Sequence, residues 1–369
     1  MAGATSTQPY DYRQFFNDMS DSERLQVSRH ELEWIKRHTP AGRTAEVVLA
    51  LSCGAQTTPY VMLTQVAVFK ALGIDFAATA GQAYCCGNIF DITGKPEQSY
   101  RTASSSVRRF ADFAPAVNVQ CCGSCYVKFD DHVRAMESAE PGSAPFEVVQ
   151  ISQFLLQVLR EMGERVPWLN TIPRRVLVHA EGDELKRGKS AARQAIVDTL
   201  ELIPGVEFVG LVEDPSLGTP CRRIPSADGP VKWMLEDIGP AEYRQVQAEL
   251  EAQARAVRAD VIVTPHHSCH REWCKFGSDR LAIMYYQSLV AEALGIHVPD
   301  RFQILWRTGD PDKILELTRP HWESWSIPEP AAREMVKKFF VPEYAAAVDK
   351  CPCEGNCFQT RLDSAALAD

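Results

Sequence analysis

Hydrophobic positions along the chain fall into short unbroken runs separated by longer stretches of helical periodicity. Val47-Val48-Leu49-Ala50-Leu51-Ser52-Cys53 and Val176-Leu177-Val178-His179-Ala180-Glu181-Gly182 are two such runs, each ending in a polar turn. Apolar runs of this length predict strands buried on both faces, as in parallel sheets. Helical stretches follow, Pro59 to Leu72 in one half and Glu184 to Leu202 in the other, and lead into Gly73-Ile74-Asp75-Phe76 and Gly205-Val206-Glu207-Phe208. A second helical stretch in each half, Gln98 to Phe113 and Glu242 to Arg258, precedes Val117-Asn118-Val119-Gln120-Cys121-Cys122-Gly123-Ser124-Cys125 and Val261-Ile262-Val263-Thr264-Pro265-His266-His267-Ser268-Cys269. The repeat predicts an α/β fold of two tandem pseudo-symmetric modules, each a small parallel sheet flanked by helices.

Around the repeat lie an N-terminal helical arm, roughly Asp21 to His38, and a tail after about Asp310 rich in Pro, Trp and charge. The expected division is an arm at 1–44, a first module at 45–170, a second at 171–310 and an extension at 311–369 that carries Cys351, Cys353 and Cys357. The 369 residues, 45% hydrophobic and 24% charged, suffice for a sizeable core. No window reaches about eighteen uncharged apolar residues, and Met1 to Gln14 lacks the basic start and apolar run of a secretion signal. The expectation is a cytoplasmic protein without a transmembrane segment. A net charge of −9 leaves no basic footprint, so nucleic acid is not an expected partner.

Composition changes the picture at the cysteines. Twelve in a chain without a secretion signal point to metal or redox chemistry more than to a disulfide framework. Cys53 and Cys122 fall at the carboxyl ends of expected strands, where α/β folds place functional residues. Thirty-one residues separate Cys53 from Cys85, Cys86 and Gly87 follow directly, and thirty-four residues separate Gly87 from Cys122-Gly123-Ser124-Cys125. Thiolates at these positions suit an iron–sulfur cluster, four of them would also hold zinc, and buried thiols acting as small hydrophobes are the bland alternative. Gly87 allows the tight backbone that such a corner needs.

This pattern resembles the CCG domain, the cysteine-rich module duplicated in the catalytic B subunit of heterodisulfide reductase and in related subunits of glycolate, lactate and glycerol-3-phosphate oxidoreductases. The resemblance implies a non-cubane [4Fe-4S] cluster held by Cys53, Cys85, Cys86, Cys122 and Cys125, with Cys121 outside the set. In the second copy the family's cysteine positions fall on Gly182, Pro220-Cys221 and His266-His267-Ser268-Cys269, so only two thiols remain. Cys221, His266, Cys269 and His179 then form a mixed set suited to zinc or an altered iron–sulfur centre, and the alternative is a site whose histidines only hydrogen-bond. His266, His267 and His270 are weaker candidates for proton transfer. The Cys351–Cys357 tail has too few thiols for a site of its own, unless Cys274 or another residue adds a fourth or the tail completes the second site; an exposed, flexible tail is the expected reading.

Asp183 to Ser190 imitates a phosphate-binding loop, but Asp183 stands where that motif needs glycine, and no Gly-rich dinucleotide fingerprint follows either first strand. Without a flavin or nicotinamide site, the chain is expected to exchange single electrons with a flavoprotein or a ferredoxin-like iron–sulfur subunit. The resemblance implies a subunit of a heterodisulfide-reductase-like complex acting on a thiol, disulfide or protein-bound sulfur. An electron-relay subunit of a hydroxyacid or glycerol-3-phosphate dehydrogenase and a zinc-stabilised scaffold are the competing readings.

Overall fold

The computed structural model describes residues 10–32, 44–179, 189–224 and 232–346. The first half builds a four-stranded sheet from β1 (Val47–Leu51), β2 (Phe76–Ala80), β3 (Val117–Gln120) and β4 (Glu147–Gln150), all parallel, in the order β2-β1-β3-β4. The second half supplies β5 (Arg174–His179), β6 (Val206–Val212), the two-residue antiparallel pair β7 (Arg223–Ile224) and β8 (Lys232–Trp233), then β9 (Val261–Thr264) and β10 (Ala282–Tyr285). Its main sheet is parallel and runs β10-β9-β5-β6. In both sheets the first strand is central, the second lies at one edge, and the third and fourth extend the other side. The repeat expected from the apolar runs is therefore a repeat of topology.

Each run became a strand because helices cover both of its faces. Leu49 and Leu51 pack with Phe69 and Val119 on one side of β1, while Val48 and Ala50 pack with Phe110 and Phe129 on the other. Alternate residues thus enter two cores, so no polar face is needed. The expected helices appear at Pro59–Ala71, Pro96–Ala111 and Pro240–Ala256, each with proline in its first turn, and at Lys189–Leu202.

The two halves share a core. Tyr60, Val61 and Val68 of the Pro59–Ala71 helix pack with Val178, Val263 and Leu289. The Tyr60 hydroxyl accepts the Tyr285 backbone N–H at 3.0 Å, and the Gln65 amide donates to the Tyr285 hydroxyl at 2.8 Å.

Of the arm expected at roughly Asp21 to His38, positions 33–38 lie outside the described residues, and the rest differs from one continuous helix. Helix α1 spans Tyr12–Gln26, begun by the Asp11 carboxylate accepting the Gln14 N–H at 2.9 Å and ended by Val27 in extended conformation. Ser28 and Glu31 then exchange backbone–side-chain hydrogen bonds, a capping box that starts a new helical turn. Beyond Asp310, the helices Pro311–Leu317, Arg319–Ser324 and Glu329–Phe340 send Ile314, Trp322, Val336 and Phe340 into the core beneath the second sheet. Among the described residues, no helix is long and apolar enough to cross a membrane.

Candidate metal centres

Cys53, Cys85, Cys86, Cys122 and Cys125 lie just past the carboxyl ends of β1, β2 and β3, three neighbours in one sheet. Cys53 opens a 3₁₀ turn fixed by the Ser52 hydroxyl, which accepts the Gly54 N–H at 3.2 Å. Cys85 and Cys86 follow a 3₁₀ turn after β2, and Gly87 then takes a left-handed conformation, φ +81°, that reverses the chain into the helix Asn88–Ile92. Cys122 precedes the helix Gly123–Ala139, and Cys125 stands in its first turn.

The sulfurs meet. Cys53 and Cys85 are 3.9 Å apart, and Cys86 and Cys125 are 3.4 Å apart. Two sulfurs on one tetrahedral metal with ~2.3 Å bonds lie ~3.8 Å apart, so these spacings suit shared metal coordination. Cys85, Cys86 and Cys125 are buried, while Cys53 and Cys122 are half-buried. The thiols share protons unequally: the Cys53 hydrogen bond pulls Cys85 down to about 4, and the Cys125 thiol draws Cys122 well below the usual range. Cys53 and Cys125 are raised as the donors of those bonds. Gly87 also donates its N–H to Cys85 Sγ at 3.3 Å. Five thiols from three short segments, two of them already biased toward thiolate, are a donor set that fits an iron–sulfur cluster.

Helix α1 covers this site, its Phe16 and Met19 packing with Cys85 and Ile89 beside Cys53. The Gln56 amide donates to Glu23 of α1 at 2.9 Å, tying the cover to the turn that bears Cys53. A helical arm was expected from the sequence, but its position over the thiols was not. Cys121 sits apart in the core, where its sulfur accepts the Ser52 N–H at 3.0 Å and burial pushes its thiol up to about 12.

In the second half, His179 at the end of β5, Cys221 and Cys269 bring their ligand atoms within 4.8 Å of one another. Cys221 Sγ is 3.4 Å from Cys269 Sγ and 3.5 Å from His179 Nε2, and His266 Nε2 is 3.6 Å from Cys269 Sγ. A tetrahedral zinc with ~2.3 Å sulfur and ~2.05 Å nitrogen bonds would separate S from N by ~3.6 Å. The Cys269 hydrogen bond, then burial opposed by His179, sets the Cys221 thiol well below its usual range. His266 stands outside that converging set, and its Nδ1 accepts the Cys269 backbone N–H at 3.5 Å as the cap of the following helix, so a metal on its Nε2 would require that cap to be released. Gly182 and the cysteines at 351, 353 and 357 lie outside the described residues.

The two remaining candidate histidines separate. His267, next to a second-site residue, reaches across to the first site beside Cys122. His270 is tied at both nitrogens, to Asp300 Oδ2 at 2.6 Å and Thr264 Oγ1 at 3.2 Å, and Cys274 lies within ligand distance of this buried pair. A cavity of about 300 Å³ lined by Tyr60, Arg174, Met284, Ser288 and Asp300 opens elsewhere and is lined by none of the thiols.

The geometry of the first site accompanies a family match. Residues 47–130 match the model of the CCG cysteine-rich domain. Over this segment the chain is similar to CCG domains. Two relatives are the D subunits of dihydromethanophenazine:CoB–CoM heterodisulfide reductases, from Methanosarcina mazei at 26% identity and Methanosarcina barkeri at 24%. Each alignment covers 74% of this chain and 64% of the relative, so the chain spans less than two thirds of their length. A likeness was expected to the B subunit of such an enzyme, and it is found to the D subunit.

Proposed function

We propose that this chain is an iron–sulfur subunit of a heterodisulfide-reductase-like complex, carrying out thiol/disulfide-linked electron transfer at a non-cubane [4Fe-4S] cluster on Cys53, Cys85, Cys86, Cys122 and Cys125. The convergence of those five thiols inside the CCG-like segment carries the reading. When bound, such a cluster supplies one-electron chemistry beside a sulfur substrate. The chain's own part is to hold the thiolates with the Gly87 and Ser52 turns and to keep water out with α1. Half-buried Cys53 and Cys122 mark the side from which a substrate sulfur approaches. Cleaving one S–S bond to two thiols takes two electrons and two protons, so a flavoprotein or ferredoxin-like partner must deliver the electrons. Zinc on His179, Cys221, His266 and Cys269 is the matching proposal for the second half.

One observation favours a second reading. Helix α1 packs on Cys85 beside Cys53, and Cys85, Cys86 and Cys125 are buried, which suits an electron relay that never touches substrate. Electron paramagnetic resonance of the oxidised protein, with and without a thiol, separates the two. A spectrum changed by thiol supports substrate chemistry at the cluster; an unchanged one leaves the relay.

A further inference from the structure

His267 belongs to the second half but is built into the first site. It begins the helix His267–Trp273, directly after His266, which caps that helix. His267 is 6% exposed and its ring rests on Gly54, the residue after Cys53: a Cβ at position 54 would lie 2.7 Å from His267 Cε1. Beside it is Cys122. Neither ring nitrogen has a hydrogen-bond partner, although both are buried. Burying an imidazole unpaired costs about 1–3 kcal/mol, and the neighbouring polar group able to accept from it is the Cys122 sulfur.

We propose that His267 completes the first centre across the module boundary, donating an imidazole N–H to Cys122 Sγ once that sulfur is a cluster thiolate, and so raises the cluster's reduction potential. A donor aimed at a cluster sulfur stabilises the more negative, reduced state. The second half thereby has a task that needs no cluster of its own: the helix capped by His266 and holding Cys269 places His267 on Gly54. His267 is a positioning and tuning residue. The inference rests on the cluster assignment proposed above.

The test uses anaerobically purified full-length protein, redox titration followed by electron paramagnetic resonance, and pulsed resonance after ¹⁵N-histidine labelling. In His267→Ala, a lost bond to a thiolate is expected to shift the one-electron equilibrium at least tenfold toward the oxidised state, a midpoint about 59 mV or more lower. Gly54→Ala displaces the ring and should shift the midpoint the same way, while His267→Gln, which keeps an N–H donor, should recover part of it. The unsubstituted protein should show weak ¹⁵N coupling that His267→Gln abolishes, a readout that stands even if the alanine variant fails to load iron. Wild-type midpoints in iron-replete variants, or the absence of that coupling, would overturn the inference while sparing the cluster assignment. Coupling of ligand strength would also overturn it, and wild-type protein without iron would remove the cluster assignment itself.

Discussion

Replacing Gly87 by alanine tests whether the Cys85-Cys86 corner depends on the backbone that follows it. Gly87 has φ +81°, and a left-handed conformation costs an L-residue about 1–2 kcal/mol. Its added Cβ would lie 2.5 Å from the Ser99 carbonyl oxygen and 2.9 Å from Ser99 Cα. Those are backbone atoms of the helix Pro96–Ala111, which cannot swing aside as a side chain would. That helix also carries Ser106, whose hydroxyl donates to the Cys85 carbonyl at 2.7 Å, so relieving the clash displaces a cysteine. Overpacking adds about 1–3 kcal/mol, giving roughly 2–5 kcal/mol in all. Gly94 is the control: its φ is +77° with nothing within 4 Å of an added Cβ, so Gly94→Ala should cost only the conformational part. Urea unfolding compares the two variants, and iron analysis after anaerobic reconstitution reports the corner. Gly87→Ala no less stable than Gly94→Ala, with full iron, would refute the argument.

Cys85→Ser and Cys122→Ser are expected to lose most of the iron, whereas Cys121→Ser should keep it, since a hydroxyl can still accept the Ser52 N–H; equal iron in all three would contradict the division. His179→Ala and Cys221→Ser should abolish bound zinc and leave iron unchanged, as read by elemental analysis, and zinc persisting in both would remove the second site. His321 is held down to about 4 by burial, then by Arg301, against the pull of Glu31. A histidine lowered in the fold is charged first in the unfolded chain, so its stability is intact above about pH 6.5 and lost as pH falls toward 4, by at most roughly 3 kcal/mol. Acid-unfolding curves of His321→Gln should be flatter across that window; curves parallel to wild type would show that His321 does not contribute.

Both sheets could be read from the chain because a strand buried on two faces writes itself as an unbroken apolar run, and Val47–Leu51 and Val176–Val178 do so. The edge strands β4 and β10 were harder, since Glu147–Gln150 and Ala282–Tyr285 run straight into helices without a turn signal. The five first-half cysteines were legible because their residue type is scarce and their spacing long. What escaped depends on docking between distant segments. The sequence places His267 beside His266, but only the packing of its helix on the Cys53 turn brings it to Cys122. Helix α1 was expected too late in the chain, because the cap at Asp11 precedes a first turn whose Arg13 and Gln14 obscure the face formed by Phe16 and Met19.

The most direct test of the central claim is iron, acid-labile sulfide and zinc per chain in anaerobically purified full-length protein. The five-thiolate centre predicts about four irons and four sulfides. The second centre adds about one zinc. Zinc without iron or sulfide would contradict the iron–sulfur assignment and make the CCG-like segment of this chain a zinc site.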